Sequence, residues 1–263
     1  MNRDSYTEAN RVTWNETAGI HAGVELPGLL RKFRDPEFTT LDTIEKEIFS
    51  RLGVEGKVVA QLSCNNGREL LSVKRLGAGR CVGFDISDAF IAQGLKLAQS
   101  GQIDVEFVCA DVYQIPQTYD GNFDIVYVTI GALGWLPDLD GYFSVVARLL
   151  RPGGTLFIYE MHPVLDMFDA ETGLEIAHSY FKSEPFESSD DPDYYDPSQR
   201  ISSTSYWFHH KLSDVIGGCL QKGLSLISFE EYDHDISMVY RAFEKLEHKP
   251  PLCYSLVARK NND

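Results

Sequence analysis

The sequence predicts an α/β protein on a doubly wound, seven-stranded, mostly parallel sheet whose last strand runs antiparallel, and three observations lead there. Short apolar runs bounded by turn residues alternate with longer amphipathic stretches along most of the 263 residues. Such alternation joins parallel strands through crossover helices and covers both sheet faces. The last two strand-like runs are linked by "HDISMVYRAFEKLEHKPP", which holds no crossover helix, so they form an antiparallel pair.

The elements follow in order. "KVVAQLS" is the first strand, and "RELLSVKRLG" after its Asn-Gly turn is a helix. "RCVGFDI" is the second, followed by the helix "SDAFIAQGLKLAQSG", for which Ser87 is the N-cap because its hydroxyl can accept from a first-turn amide. "DVEFVCA" and "FDIVYVTI" are the third and fourth, and "LDGYFSVVARLLRP" is the next helix. "RPGG" ends that helix and turns into the fifth strand, "GTLFIYEM". The helix "LSDVIGGCLQKG" and the strands "LSLISFEEYD" and "PLCYSLVARK" complete the set. Between them, 163–208 is rich in Asp, Pro, Ser and aromatics, and a structureless loop of that length is improbable in a compact domain, so it forms a small lid or hairpin.

Composition narrows the partners. Acidic residues outnumber basic ones 39 to 24, a formal charge of −15, and no Lys/Arg run offsets it, which argues against nucleic acid and anionic membranes. The five cysteines, Cys64, Cys81, Cys109, Cys219 and Cys253, are widely spaced, lie mostly in apolar strand-like runs and form no CxxC pair, so they are expected to be reduced buried thiols with no metal. The first residues lack an apolar signal core and no window approaches a membrane span; a soluble cytoplasmic protein is expected.

Open α/β sheets bind ligands beyond the carboxyl ends of their strands. "QLSCNNG" ends the first strand there, and Asn65, Asn66 and Gly67 tolerate positive φ and close ligand approach; an ordinary strand-to-helix turn is the alternative. Asp85, 18 positions after Gly67, ends the second strand, where an acid accepts hydrogen bonds from ribose hydroxyls; it could instead cap the next helix, though Ser87 is better placed for that. Asp111 ends the third strand, placed to accept from an adenine amino group while Val112 offers its amide; a single Asp there can also simply start a turn. The recurrence at three successive strand ends weighs against chance.

Over residues 55–162 the ordered set "VVAQLSCNNG", "VGFDIS", "FVCADVYQIP", "FDIVYV" and "LLRPGGTLFIYE" resembles class I S-adenosylmethionine-dependent methyltransferases. The resemblance implies the Rossmann-like methyltransferase fold, S-adenosyl-L-methionine as cofactor, and methyl transfer to O or N of a small-molecule acceptor by a monomer or homodimer. It assigns to the cofactor Gln61, Ser63, Asn65 and Gly67 in the first loop, Asp85 and Ile86 after the second strand, Asp111 and Val112 after the third, and Thr129 after the fourth. The family's first loop usually carries an acid and Gly-x-Gly-x-Gly, where this chain has Gln61, Ser63, Asn65 and Gly67. The implied division is an N-terminal helical lid over 1–50, a cofactor-binding core over 51–162, an inserted substrate lid over 163–208 and a C-terminal helix with strands over 209–263. A dinucleotide-dependent oxidoreductase is a rival, but a pyrophosphate loop needs glycines that are missing here. A noncatalytic cofactor-binding module is the other.

Flanking segments add candidates. "YTEANRVTWNETAGIHA" is either a lid, with Arg11 meeting the cofactor carboxylate and Trp14 offering a π face, or a helix packing Val12 and Trp14 on the sheet. This start, with the His-Pro after the fifth strand, also looks like a subgroup of bacterial methyltransferases of unassigned substrate. His162 in "YEMHP" and His209 in "SYWFHHKLSD" are the candidate general bases, each with a structural alternative. Tyr6, Tyr206 and Trp207 are candidate substrate contacts. Asp190, Asp191 and Asp193 either favour a cationic substrate or are simply solvated, and solvation is the expectation.

Overall fold

Asn2 closes the first turn of a long helix by accepting from the Ser5 amide, and α1 then runs over Arg3–Val24. It is followed by α2 (Leu26–Lys32) and α3 (Thr43–Leu52), the latter fixed by a reciprocal capping box between Asp42 and Glu45. The computed structural model describes residues 1–169 and 175–262; residues 170–174, part of the predicted insertion, and the last residue lie outside the described residues.

The predicted alternation follows as β1 (Val58–Leu62), α4 (Arg68–Arg75), β2 (Arg80–Asp85), α5 (Asp88–Gly101), β3 (Glu106–Cys109), β4 (Phe123–Thr129), α6 (Leu139–Leu149) and β5 (Leu150–Met161). Ser87 caps α5 through the Phe90 amide, as predicted. The "RPGG" stretch lies inside β5, not before it: β4 pairs Phe123 with Leu150 and then Ile125 with Thr155, so these residues form an irregularity within the strand.

The insertion forms two small hairpins, β6 (Phe186–Ser188) with β9 (Ser205–Trp207), enclosing β7 (Asp191–Pro192) with β8 (Arg200–Ile201). Then come α7 (Leu212–Gln221), β10 (Leu224–Tyr232) and β11 (Cys253–Lys260). The large sheet has the order β3-β2-β1-β4-β5-β11-β10, and β11 is antiparallel to both neighbours.

Every residue of the central strand β4 is buried, as expected where helices cover both faces. On one face α6 and α7 share a core with the sheet through Phe143, Val146 and Val215. On the other, Ile48 and Phe49 of α3 and Leu70 and Val73 of α4 pack on Val59, Tyr127 and Phe157. So α3 belongs to the core, and within residues 1–50 the cover is α1. No helix among the described residues is long and apolar enough to cross a membrane. The five cysteines are unpaired; four are buried as expected, while Cys109 is exposed at the end of β3.

Candidate active site

The strand order reverses between β1 and β4, and a cavity of about 300 Å3 opens beyond the carboxyl ends of β1 to β4. Its wall is shaped first by the backbone after β1. Ser63, Asn65 and Gly67 all take left-handed φ, at 52°, 52° and 66°. Only glycine adopts that region freely, so the alternate positions where the resembling family carries glycines keep glycine-like geometry with two side chains added. At Gly67 a Cβ would also overlap the Phe107 ring.

Asp85 braces this loop. Its carboxylate accepts from the Asn65 amide at 2.6 Å and from the Ser87 amide at 2.8 Å. Burial raises its pKa to about 6 against those stabilising bonds. Asp111 accepts from the Tyr113 amide, so both strand-end acids also serve local turns. With Ser63, Asn65, Ile86, Val112, Thr129, Trp14 and Trp207, they line one cavity.

The other expected residues lie elsewhere. Gln61 is buried behind the wall, donating to Thr129 Oγ1, and its Oε1 has no partner among the described residues. Gly67 serves the turn as the N-terminal residue flanking α4. Arg11 is turned to Glu8 and Asp88 and does not line the cavity. Tyr6 packs edge-on against Tyr206 and Phe208, so this pair joins α1 to the insertion outside the cavity. His162 lies behind Met161, with Nε2 2.9 Å from Glu231 and Nδ1 accepting from the Val164 amide; burial lowers its pKa. His209 is held at both ring nitrogens, by Asp166 at 2.8 Å and the Tyr180 carbonyl at 2.8 Å. Neither histidine lines the cavity; His162 fixes the turn at Pro163, whereas α7 is entered from Lys211, so His209 does not start that helix.

Several wall residues carry no local sequence signal. Arg68 pairs with Glu25 and Glu69 and donates to the Tyr195 hydroxyl. Trp135 follows β4 in a loop held by buried Glu160, which accepts from the Gly131, Leu133 and Met161 amides. Ile236, Ser237, Met238 and Val239, from the link between β10 and β11, form another side. Trp135 alone was within reach of the sequence, because it sits just past a strand end.

The covers are joined. The Asn10 side chain makes two bonds with the Tyr206 backbone, at 2.8 and 2.9 Å, and Glu16 accepts from Ser202 and Ser203. Burial would raise the Glu16 carboxyl, but those hydrogen bonds hold it at about 2. His21 meets Asp193 at 2.9 Å with both side chains buried, which corrects the expectation that Asp193 is solvated; Asp190 and Asp191 lie exposed.

Residues 60–158 match the model of a methyltransferase domain. Over that stretch, less than half of the chain, the sequence is similar to the class I S-adenosylmethionine-dependent methyltransferases. Among relatives of this chain is the sterol 24-C-methyltransferase erg6 of Aspergillus fumigatus, 27% identical over 129 residues, which are 48% of this chain and 34% of the relative. Another is the ubiquinone biosynthesis O-methyltransferase of Xanthomonas oryzae pv. oryzae, 27% identical over 111 residues, 42% of this chain and 46% of that one. The chain thus spans less than half the length of either. A solved S-adenosylmethionine-dependent methyltransferase from Methanosarcina mazei superposes with a TM-score of 0.60 at 16% identity, covering 82% of this chain and 98% of that one.

S-adenosylmethionine is the cofactor of this superfamily, and the donor set fits it. Two carboxylates stand at adjacent strand ends, Phe84, Ile86 and Val112 supply apolar wall, and the left-handed backbone at Ser63 and Asn65 lets a ligand lie close to the chain.

Proposed function

We propose that this methyltransferase transfers a methyl group to O or N of a small-molecule acceptor held under the joined covers. The observation that carries this reading is one cavity shared by the strand-end acids Asp85 and Asp111 and by aromatic residues of two covers, Trp14, Tyr194, Tyr195 and Trp207. The ribose hydroxyls would donate to Asp85, and Asp111 with the Val112 amide would receive the adenine edge. The loop at Ser63 and Asn65 would pass the methionine portion toward Arg68 and its partners Glu25 and Glu69, where a group carrying both an ammonium and a carboxylate meets both charges.

The sulfonium supplies an activated methyl, so the protein's task is alignment and exclusion of water. Trp14 and Trp207 close the cavity from opposite covers, and Glu160 keeps the loop at Gly131–Leu133 in place. With His162 and His209 turned into structural bonds, positioning carries the catalysis. The absence of a basic surface run, with −15 overall, supports a small molecule over nucleic acid.

Calorimetric titration with S-adenosylmethionine and S-adenosylhomocysteine, followed by turnover over a panel of phenols, carboxylic acids and amines, tests the reading. Binding of both with methylation of an O or N acceptor is expected. Failure of either to bind would overturn it; binding without turnover on any acceptor would favour the noncatalytic module.

A further inference from the structure

We propose that the acceptor is an amine, and that the three tryptophans, in a cavity whose wall is net negative, form a subsite for its positive charge. This names the substrate class of the site just described and rests on that reading.

The chain has three tryptophans, and all three line this one cavity. Trp14 comes from α1, Trp135 from the loop after β4 and Trp207 from β9, yet they meet in a row. The Trp14 and Trp135 rings are 4.9 Å apart at 71°, and Trp135 and Trp207 are 5.4 Å apart at 89°. Trp207 is held in place: its indole N–H donates to Asp166 at 3.2 Å, and its ring lies on Gly134, where a Cβ would overlap it. Indole has the strongest π attraction for a cation, and desolvated cation–π contacts exceed exposed ones.

The charges of the wall point the same way. The described residues lining the cavity include four carboxylates and one guanidinium: Glu25 and Glu69 pair with Arg68, Asp85 and Asp111 serve the cofactor in the reading above, and the wall as a whole stays net negative. An anionic acceptor meets surplus negative charge; a cation meets that charge and π faces. In N-methylation the acceptor nitrogen forms the bond to the methyl carbon with its lone pair, and the carbon–sulfur bond breaks with its pair left on sulfur. The positive charge then rests on nitrogen. The acceptor attacks as its free base, having given its ammonium proton to solvent beforehand; a tertiary amine then has no further proton to lose and a secondary amine releases one more to solvent, so neither needs a histidine in the cavity.

Tryptophan fluorescence reads this subsite directly, since every tryptophan lines it. Protein saturated with S-adenosylhomocysteine, whose sulfur is uncharged, is titrated with choline and with its neutral isostere 3,3-dimethyl-1-butanol. Choline is expected to bind at least about ten-fold tighter than the alcohol. Trp207→Leu is expected to lose about ten-fold in choline affinity while Trp207→Phe, which keeps a π face, stays within about three-fold, with S-adenosylhomocysteine binding by calorimetry as the control in each. Equal affinity for the two probes, no binding of either, or competition between choline and S-adenosylhomocysteine would overturn the amine assignment while leaving the cofactor reading intact. Failure of S-adenosylhomocysteine to bind would instead overturn the cofactor reading, and this one with it.

Discussion

Ser63 carries a side chain at φ 52°, where an L residue costs about 1–2 kcal/mol relative to glycine. Ser63→Gly removes that strain and adds back some chain entropy, so a net gain of about 0.5–1 kcal/mol and a Tm rise of about 2 °C are expected by calorimetry. A fall in Tm would show that the hydroxyl makes a contact worth more than the strain. Asp85 carries a second expectation. Burial raises its carboxyl to about 6, above the ordinary carboxylate range, so in the free protein the charged form is disfavoured: its contribution to stability is present below the unfolded value and lost as pH rises through about 6. Ribose hydroxyls are accepted more strongly by the charged form, in which both oxygens accept. Cofactor affinity should therefore weaken as pH falls through about 6, and this pH dependence should vanish in Asp85→Ala, which should also bind about ten-fold or more weakly at neutral pH. A pH-independent affinity in the unsubstituted protein would remove Asp85 from the ribose. These residues were legible because strand-end acids and turn residues announce themselves locally. His162 and His209 were not, since the groups that satisfy them, Glu231 and Asp166, lie 69 and 43 positions away.

At the scale of elements, periodicity made the strands and crossover helices legible, because the buried pattern of a parallel sheet is written within each segment. The contact between α1 and the insertion was not legible. Asp193 sits in "SSDDPDYYD" and reads as solvated, yet its partner His21 is 172 positions away and both are buried. The Asp193 carboxylate also accepts from the Tyr195 and Asp196 amides, so it organises the turn that presents the two tyrosines. His21→Ala leaves one carboxylate oxygen buried without that partner, a loss of about 1–3 kcal/mol at the seam between α1 and the insertion. Limited proteolysis within 189–204 should then run about five-fold or more faster than in the unsubstituted protein, with the sheet left intact by circular dichroism. Unchanged cleavage would show that the ring contacts of His21 with Phe90, Tyr194 and Tyr195 fall on a seam already held by Asn10 and Glu16.

At the scale of the whole molecule, two covers of distant sequence origin act as one. Ser188 pairs with Ser205 across β6 and β9, so residues 189–204 can be replaced by a short Gly-Ser turn that keeps Tyr206 and Trp207 in their strand. The replacement removes Asp193, Tyr194, Tyr195, Ser202 and Ser203 together. It deprives His21, Glu16 and Thr13, all on α1, of their partners in the insertion, and Arg68 of the Tyr195 hydroxyl, while Asn10 keeps its two bonds to the Tyr206 backbone. A cover independent of the cofactor site would leave cofactor affinity unchanged. Here Tyr194 and Tyr195 share the cavity with Asn65 and Asp85, so the shortened protein should lose about ten-fold in S-adenosylhomocysteine affinity, roughly 1.4 kcal/mol. Amide exchange should rise along Thr13–Val24 and stay slow over Arg3–Asn10, because only the second half of α1 has lost its anchors. Methyl transfer should fall further than binding, since alignment of the acceptor depends on the closed cavity. Affinity within three-fold together with full protection of α1 would show that the two covers close separately, and would leave the acceptor site to Trp14, Trp135 and the link at Ile236–Val239.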